Sequence, residues 1–133
     1  MKSRLSALAL SLALVAGCTT PPPPPPSGPE RLSQQVARNT LERAQKSFDE
    51  GDYAATISTL RGGASLFDAA EPVTRTSAMK LEAFSYCVLN QLPECRAQFR
   101  KLLDTYPSFN LDVAERTHPV WGPAFETAKR MKR

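Results

Sequence analysis

Proline decides where regular structure can begin in this chain, because its ring fixes φ and removes the N–H that a helix interior or a sheet ladder needs. Six of the twelve prolines form one unbroken run at 21–26, and Pro29, Pro72, Pro93, Pro107, Pro119 and Pro123 punctuate the rest singly. Between these points apolar residues recur in steps of three and four, the spacing of a helical face. Pro29 suits a first turn, where its missing N–H has no partner anyway, and the face after it reads Leu32, Val36, Ala37, Leu41, Ala44 and Phe48. Gly51-Asp52 breaks that face, and Asp52 can cap a second helix bearing Tyr53, Ile57, Leu60, Ala64 and Phe67 and ending near Asp68. Pro72 opens a third helix with Leu81, Ala83, Phe84, Tyr86, Cys87, Val88 and Leu89, whose apolar residues point several ways, so it should lie between neighbours. Asn90-Gln91 ends it, and Pro93 opens a fourth face, Cys95, Phe99, Leu102, Leu103 and Tyr106, closed by Pro107. No useful stretch alternates with period two, so no sheet is expected and the fold class is all-α.

The segment Gly51-Asp52-Tyr53 resembles the turn between helices A and B of a tetratricopeptide repeat. Aligned on it, Ala44 takes the small position of helix A, and Thr56 and Leu60 take the packing positions of helix B. Aligned on Pro107, the second pair puts Ala83 and Cys95 at close-contact positions and Tyr86 and Phe99 at aromatic ones. Asp68 stands where the first unit should have proline and Pro72 comes late, so the linker between units is longer than standard. Residues 109–116 suit one short capped turn, and a last helix should start near Pro123, with Phe125 and Ala128 covering the exposed face of the second repeat as an array end requires. The expected fold is two tetratricopeptide-like hairpins plus a C-terminal capping helix, after a disordered proline-rich linker. His118, Pro119, Trp121, Gly122 and Pro123 read as a structural clamp for that last helix, with Trp121 buried against residues such as Leu102, Leu103 or Tyr106. The rival reading makes Trp121 an exposed anchor for a partner, since tryptophan is enriched among interface hot spots.

The N-terminus carries a different message. Lys2 and Arg4 precede a short apolar run that ends in Leu14-Val15-Ala16-Gly17-Cys18. Spanning a bilayer takes about 20 apolar residues, so the run reads as a cleaved signal peptide. Its end resembles the bacterial lipobox, in which the cysteine is acylated and becomes the first residue. Residues 1–17 are then the signal, 18–29 the lipidated cysteine and proline-rich spacer, and 30–133 the helical domain. Thr19, rather than aspartate, after the cysteine implies sorting to the outer membrane, facing the periplasm. The prolines should run as polyproline II, a semi-rigid spacer, although such a run is also a ligand for aromatic-lined grooves.

Without Lys2 and Arg4, fifteen basic side chains face thirteen acidic ones, too even a balance to suggest nucleic acid. His118 is the only histidine, and beside a proline and Trp121 it reads as a packing residue; one histidine with two cysteines is a poor metal set. Gly62-Gly63 lacks the Lys-Ser/Thr of a phosphate loop. The expectation is a protein that is not an enzyme, with no cofactor, metal or small-molecule substrate. Once Cys18 is acylated, Cys87 and Cys95 remain in an oxidising space, near facing ends of antiparallel helices, and are expected to form a disulfide. Two buried thiols serving as small apolar residues are the alternative.

The second half, Leu81-Glu-Ala-Phe-Ser-Tyr-Cys87, Cys95-Arg-Ala-Gln-Phe-Arg100, Pro107-Ser-Phe-Asn-Leu111, Glu115 and His118-Pro-Val-Trp-Gly-Pro123, resembles the TssQ family of type VI secretion-associated lipoproteins. The resemblance covers roughly residues 50 to 130 and the lipobox. It implies an accessory of a contractile injection apparatus, acting on the periplasmic side, and the leading expectation is a membrane-tethered adaptor whose repeat groove holds a segment of an envelope protein. A pilotin-like assembly factor for another secretion or pilus machine is the alternative. In tetratricopeptide repeats helix A lines the inner face, which aligns Arg38, Leu41, Gln45 and Phe48, then Ser77, Lys80 and Phe84, with the partner. The first test is chemical: labelled fatty acid should appear on the wild-type chain and vanish from Cys18→Ala, and equal labelling of both would rule out acylation at this residue.

Overall fold

A computed structural model describes residues 20–131. The expected signal segment, the acylation site Cys18 and the last two residues lie outside the described residues. Among those described there are seven helices and no strand, so the fold is all-α.

Helix α1 (Gly28–Asp49) starts two residues ahead of the expected boundary, because Ser27 caps it. The Ser27 hydroxyl accepts from the Glu30 N–H at 3.4 Å and the Glu30 carboxylate accepts from the Ser27 N–H at 3.3 Å, a reciprocal box that leaves Pro29 harmlessly in the first turn. Ala37, Thr40 and Ala44 are buried, with Leu41 and Phe48 half-buried beside them. The expected apolar face does not reach the helix start: Leu32 is 66% exposed and Val36 44%. The reason is length, since α2 (Tyr53–Gly62) has 10 residues against 22 and covers only the second half of α1.

The second helix is not continuous to Asp68 as expected. It breaks at Gly62-Gly63 into α2 and the short α3 (Ala64–Asp68). A Cβ at Gly63 would lie 3.0 Å from the Phe67 ring and 3.4 Å from the Thr40 methyl. This close approach lets Phe67 turn into a cluster with Ala44, Leu60, Ala78 and Leu81. Helix α3 is the extra length of the inter-repeat linker. Asp68, standing where the repeat has proline, instead accepts from Arg75 of α4 (Pro72–Val88) at 2.8 Å.

Helix α4 buries Thr74, Ala78, Met79, Leu81, Ala83, Phe84, Ser85 and Cys87, and it touches α1, α2, α3 and α5 (Leu92–Thr105). It is the sandwiched helix its sequence calls for. The two hairpin turns are built alike. Gly51 (φ 81°) and Asn90 (φ 58°) occupy the left-handed region, which glycine takes freely and asparagine tolerates. The next residues, Asp52 (φ −87°, ψ 73°) and Gln91 (φ −88°, ψ 66°), precede the second helices in the same conformation. Their N–H groups donate to Ser47 O at 2.8 Å and Tyr86 O at 2.9 Å, the closing bond of a Schellman turn. Ala44 and Ala83, and Thr56 and Cys95, are fully buried where the hairpins close. Cys95 is bonded to Cys87, with Cα atoms 5.1 Å apart; a bridge across so short a loop contributes about 2–3 kcal/mol.

Helix α7 (Gly122–Arg130) caps α5, burying Phe125 and Ala128 completely. Phe125 meets Phe99 edge to face at 5.2 Å and Phe109 at 6.1 Å. The other end of the array is open and polar: Thr40, Ser47, Ser58, Thr59 and Ser65 line a cleft of about 590 Å³, the hydroxyl-dressed surface that an uncapped repeat end needs.

On the side away from α1 a polar seam joins the repeats. Gln98 of α5 donates to the Glu82 carboxylate of α4 at 2.8 Å, with Lys101, Tyr86 and Arg61 nearby. Burial raises the Glu82 carboxyl above its usual 4.5, against the attraction of Lys101 and Arg61 and the Tyr86 hydrogen bond. A raised carboxyl binds its proton more tightly in the fold than in the unfolded chain, so its contribution to stability falls as pH rises through the folded value. Glu82→Gln should therefore raise Tm at pH 7, and the gain should shrink to nothing below pH about 4, where both side chains are neutral. An equal or lower Tm at pH 7 would show that Lys101 and Arg61 outweigh the burial.

Candidate functional site

The inner faces of α1 and α4 meet in a cavity of about 300 Å³. Of the seven residues aligned with a partner, Gln45, Phe48, Ser77, Lys80 and Phe84 line it. Arg38 and Leu41 do not. Arg38 lies at the entry to α4, where its guanidinium is 3.8 Å from Glu71 and donates to Gln35 at 3.2 Å. Leu41 packs half-buried against the Ala44, Leu60 and Phe67 cluster. Three further residues complete the lining: Leu81, Glu115 and Trp121.

Trp121 forms the floor. Its ring stacks on Phe84 with centroids 4.3 Å apart and planes 13° apart, and on His118 at 3.5 Å and 4°. Two rings cannot share one face at those separations, so Trp121 is held between them. Trp121 packs against the cluster that includes Phe84, Leu102 and Leu103, and Phe84 of the second hairpin is the member of it that the indole stacks on. The chain after α5 passes round to the inner face, and the indole arrives from the groove side, while α7 carries Phe125 and Ala128 onto α5. His118 has a local role: its Nδ1 accepts from the Val120 N–H at 3.2 Å. Gly122 allows the turn because a Cβ there would lie 2.2 Å from the Arg116 carbonyl oxygen. Pro119 and Pro123 face elsewhere, lining a cleft of about 350 Å³ with Cys87, Asn90 and Arg96.

Helix α6 (Val113–Thr117) holds the crossing segment in place. Asp112 caps it, accepting from the Glu115 N–H at 2.8 Å, and Glu115 accepts in return from the Asp112 N–H at 3.2 Å. The same Glu115 carboxylate pairs with Lys80 of α4. Both side chains are at least two-thirds covered, so solvent screens this pair less than a surface one. The Lys80 ammonium also sits 5.7 Å from the centre of the Phe84 ring. Sequence reasoning missed Glu115: the Asp112-x-x-Glu115 spacing announces a helix start, but nothing in it reveals a reach to a lysine 35 positions earlier.

The cavity therefore has aromatic and aliphatic walls, one internally neutralised ion pair, and unused polar capacity. The Gln45 amide donates to Asp49 at 2.8 Å, which leaves its carbonyl oxygen for another group, and the Trp121 Nε1–H is shielded from solvent without a partner. Such a lining suits the side chain and backbone of a peptide. Among the described residues, no three His, Cys, Asp or Glu side chains come together as metal ligands, and no helix is long and apolar enough to cross a membrane. No family model, curated protein or solved structure matches the chain.

Trp121 is the only tryptophan, so its fluorescence reports on the floor alone. Gly122→Ala should force the Arg116 carbonyl aside, cost about 1–3 kcal/mol as overpacking does, and shift the emission to the red. Unchanged melting and emission would mean that the stack does not depend on the tight turn.

Proposed function

We propose that this protein is an outer-membrane-anchored periplasmic adaptor lipoprotein, an accessory of the type VI secretion system, and that its repeat groove holds a segment of an envelope partner. The observation that carries the adaptor reading is convergence. Five residues chosen only by repeat alignment meet at one cavity, and a tryptophan held rigidly by two flanking rings lies at its base. Rigid aromatic anchors cost little side-chain entropy on binding, which is why they dominate interface energies. The bridged Cys87–Cys95 pair fits an oxidising compartment such as the periplasm. The assignment to the secretion system rests on the resemblance of the second half, and the membrane anchor rests on the Leu-Val-Ala-Gly-Cys pattern.

A photocrosslinking residue at Ser77, on the groove wall, tests the reading in intact cells. It should trap a secretion-system protein of the envelope, and the same residue at Ser58, in the polar cleft at the open end, should not. Equal capture from both positions would remove the groove from the function. Capture of a pore subunit of another secretion or pilus machine would favour the pilotin-like alternative.

A further inference from the structure

Four arginines among the described residues are half-buried: Arg38, Arg75, Arg96 and Arg100. Three of them have an oxygen acceptor within the fold. Arg38 donates to Gln35, Arg75 to Asp68 and Arg100 to the Met131 carbonyl. Arg96 has none. Its Nε is shielded from solvent without a partner, and its two terminal nitrogens are unpaired among the described residues but stay accessible. Taking a guanidinium partly out of water without an acceptor is costly, and no acceptor inside the fold offsets that cost.

Arg96 lines the cleft of about 350 Å³ between the α4–α5 turn and the start of α7, and among the described residues it is the only charged group there. The first turns of α5 and α7 form part of the walls, and neither helix has a side-chain cap at its N-terminus. Two positive helix ends therefore add to the field of the guanidinium. The Asn90 amide at the turn is a second donor. Leu92, Pro119, Val120 and Pro123 supply apolar walls, and Val120 is 39% exposed, with Leu89 beside Asn90 at 38%. The Cys87–Cys95 bridge closes the loop that carries Asn90 and ends next to Arg96, so both donors are held in place before a ligand arrives. We propose that this cleft is a second docking site, and that its occupant is a peptide segment of a partner protein whose carboxylate side chain, flanked by apolar residues, is held by Arg96 and Asn90. One positive charge matches one carboxylate, which a guanidinium can hold through two parallel hydrogen bonds. A phosphate group carries nearly two negative charges, and one guanidinium would leave it half neutralised among apolar walls. A small free acid would leave Leu89 and Val120 in water, whereas apolar neighbours on a peptide would cover them. The cleft shares no lining residue with the groove, so the site stands apart from the groove reading.

The test titrates the chain from residue 18, carrying Cys18→Ser, with the peptide acetyl-Leu-Glu-Leu-amide and with its Gln counterpart, and follows backbone amide shifts by NMR. The Glu peptide should move the amides of Asn90, Arg96 and Val120 saturably, and the Gln peptide should bind about tenfold more weakly, as loss of a charge-assisted hydrogen bond does. Arg96→Met keeps the aliphatic stem and should abolish binding without lowering Tm. Arg96→Lys keeps the charge but not the planar fork, so it should bind several-fold more weakly, and it separates lost binding from a folding defect if the Met variant does not fold. Asn90→Gly retains the left-handed turn and should weaken binding by removing the amide. No saturable shift, or equal binding of the two peptides, overturns a carboxylate site. Undiminished binding by the Arg96 variants removes Arg96 from it. Acetate or inorganic phosphate binding as tightly as the Glu peptide would show an ion site only and overturn the docking of a chain. None of these results alters crosslinking at Ser77, which tests the groove separately.

Discussion

Helix α4 has almost no free side, and the remaining elements take their positions from it. Its Ala78 and Leu81 join the cluster with Ala44, Leu60 and Phe67 that closes the first hairpin. Its Ala83, Phe84 and Cys87 join the second cluster with Cys95, Phe99, Leu102 and Phe125. Phe84 serves both the core and the groove: it meets Phe99 edge to face at 6.0 Å on one side and stacks on Trp121 on the other. The floor of the groove is thereby an extension of the hydrophobic core. A close-packed core resists small displacements, so a ligand on this floor meets a surface that is already formed.

The groove depends equally on a segment that belongs to neither hairpin. The chain between α5 and α7 must return to a cap position, and two interactions decide its route. Glu115 closes its own helix cap and pairs with Lys80, and Trp121 enters between Phe84 and His118. Each joins the C-terminal segment to α4, so the capping helix and the groove floor are set by one stretch of chain. Pro119 and Pro123 limit the conformations open to that stretch before folding, which lowers the entropy lost in ordering it.

The two ends of the array are handled differently for one physical reason. The C-terminal end would expose Phe99 and Leu103 without α7, and burying such side chains stabilises by about 2–3 kcal/mol each. The N-terminal end instead carries Ser47, Ser58, Thr59 and Ser65 at its cleft, so water solvates it at little cost. A helix is needed at one end only.

Much of the local structure was legible in single residues. Proline positions and the spacing of apolar residues located the main helices, and Gly51 and Asn90 marked the two equivalent turns because each must adopt positive φ. Repeat alignment identified five of the groove residues, and facing helix ends placed Cys87 opposite Cys95. These features depend on contacts within a few turns of chain, where period and turn chemistry govern. The break at Gly62-Gly63, the exposure of Leu32 and Val36, and the exclusion of Arg38 and Leu41 from the cavity followed from relative helix lengths and from how α3 folds back. The arrival of Glu115 and Trp121 at the groove was likewise decided only in three dimensions. No sequence pattern states round which side of a core a connecting segment will pass; that is settled by which distant side chains it can pair with and stack on once the core exists.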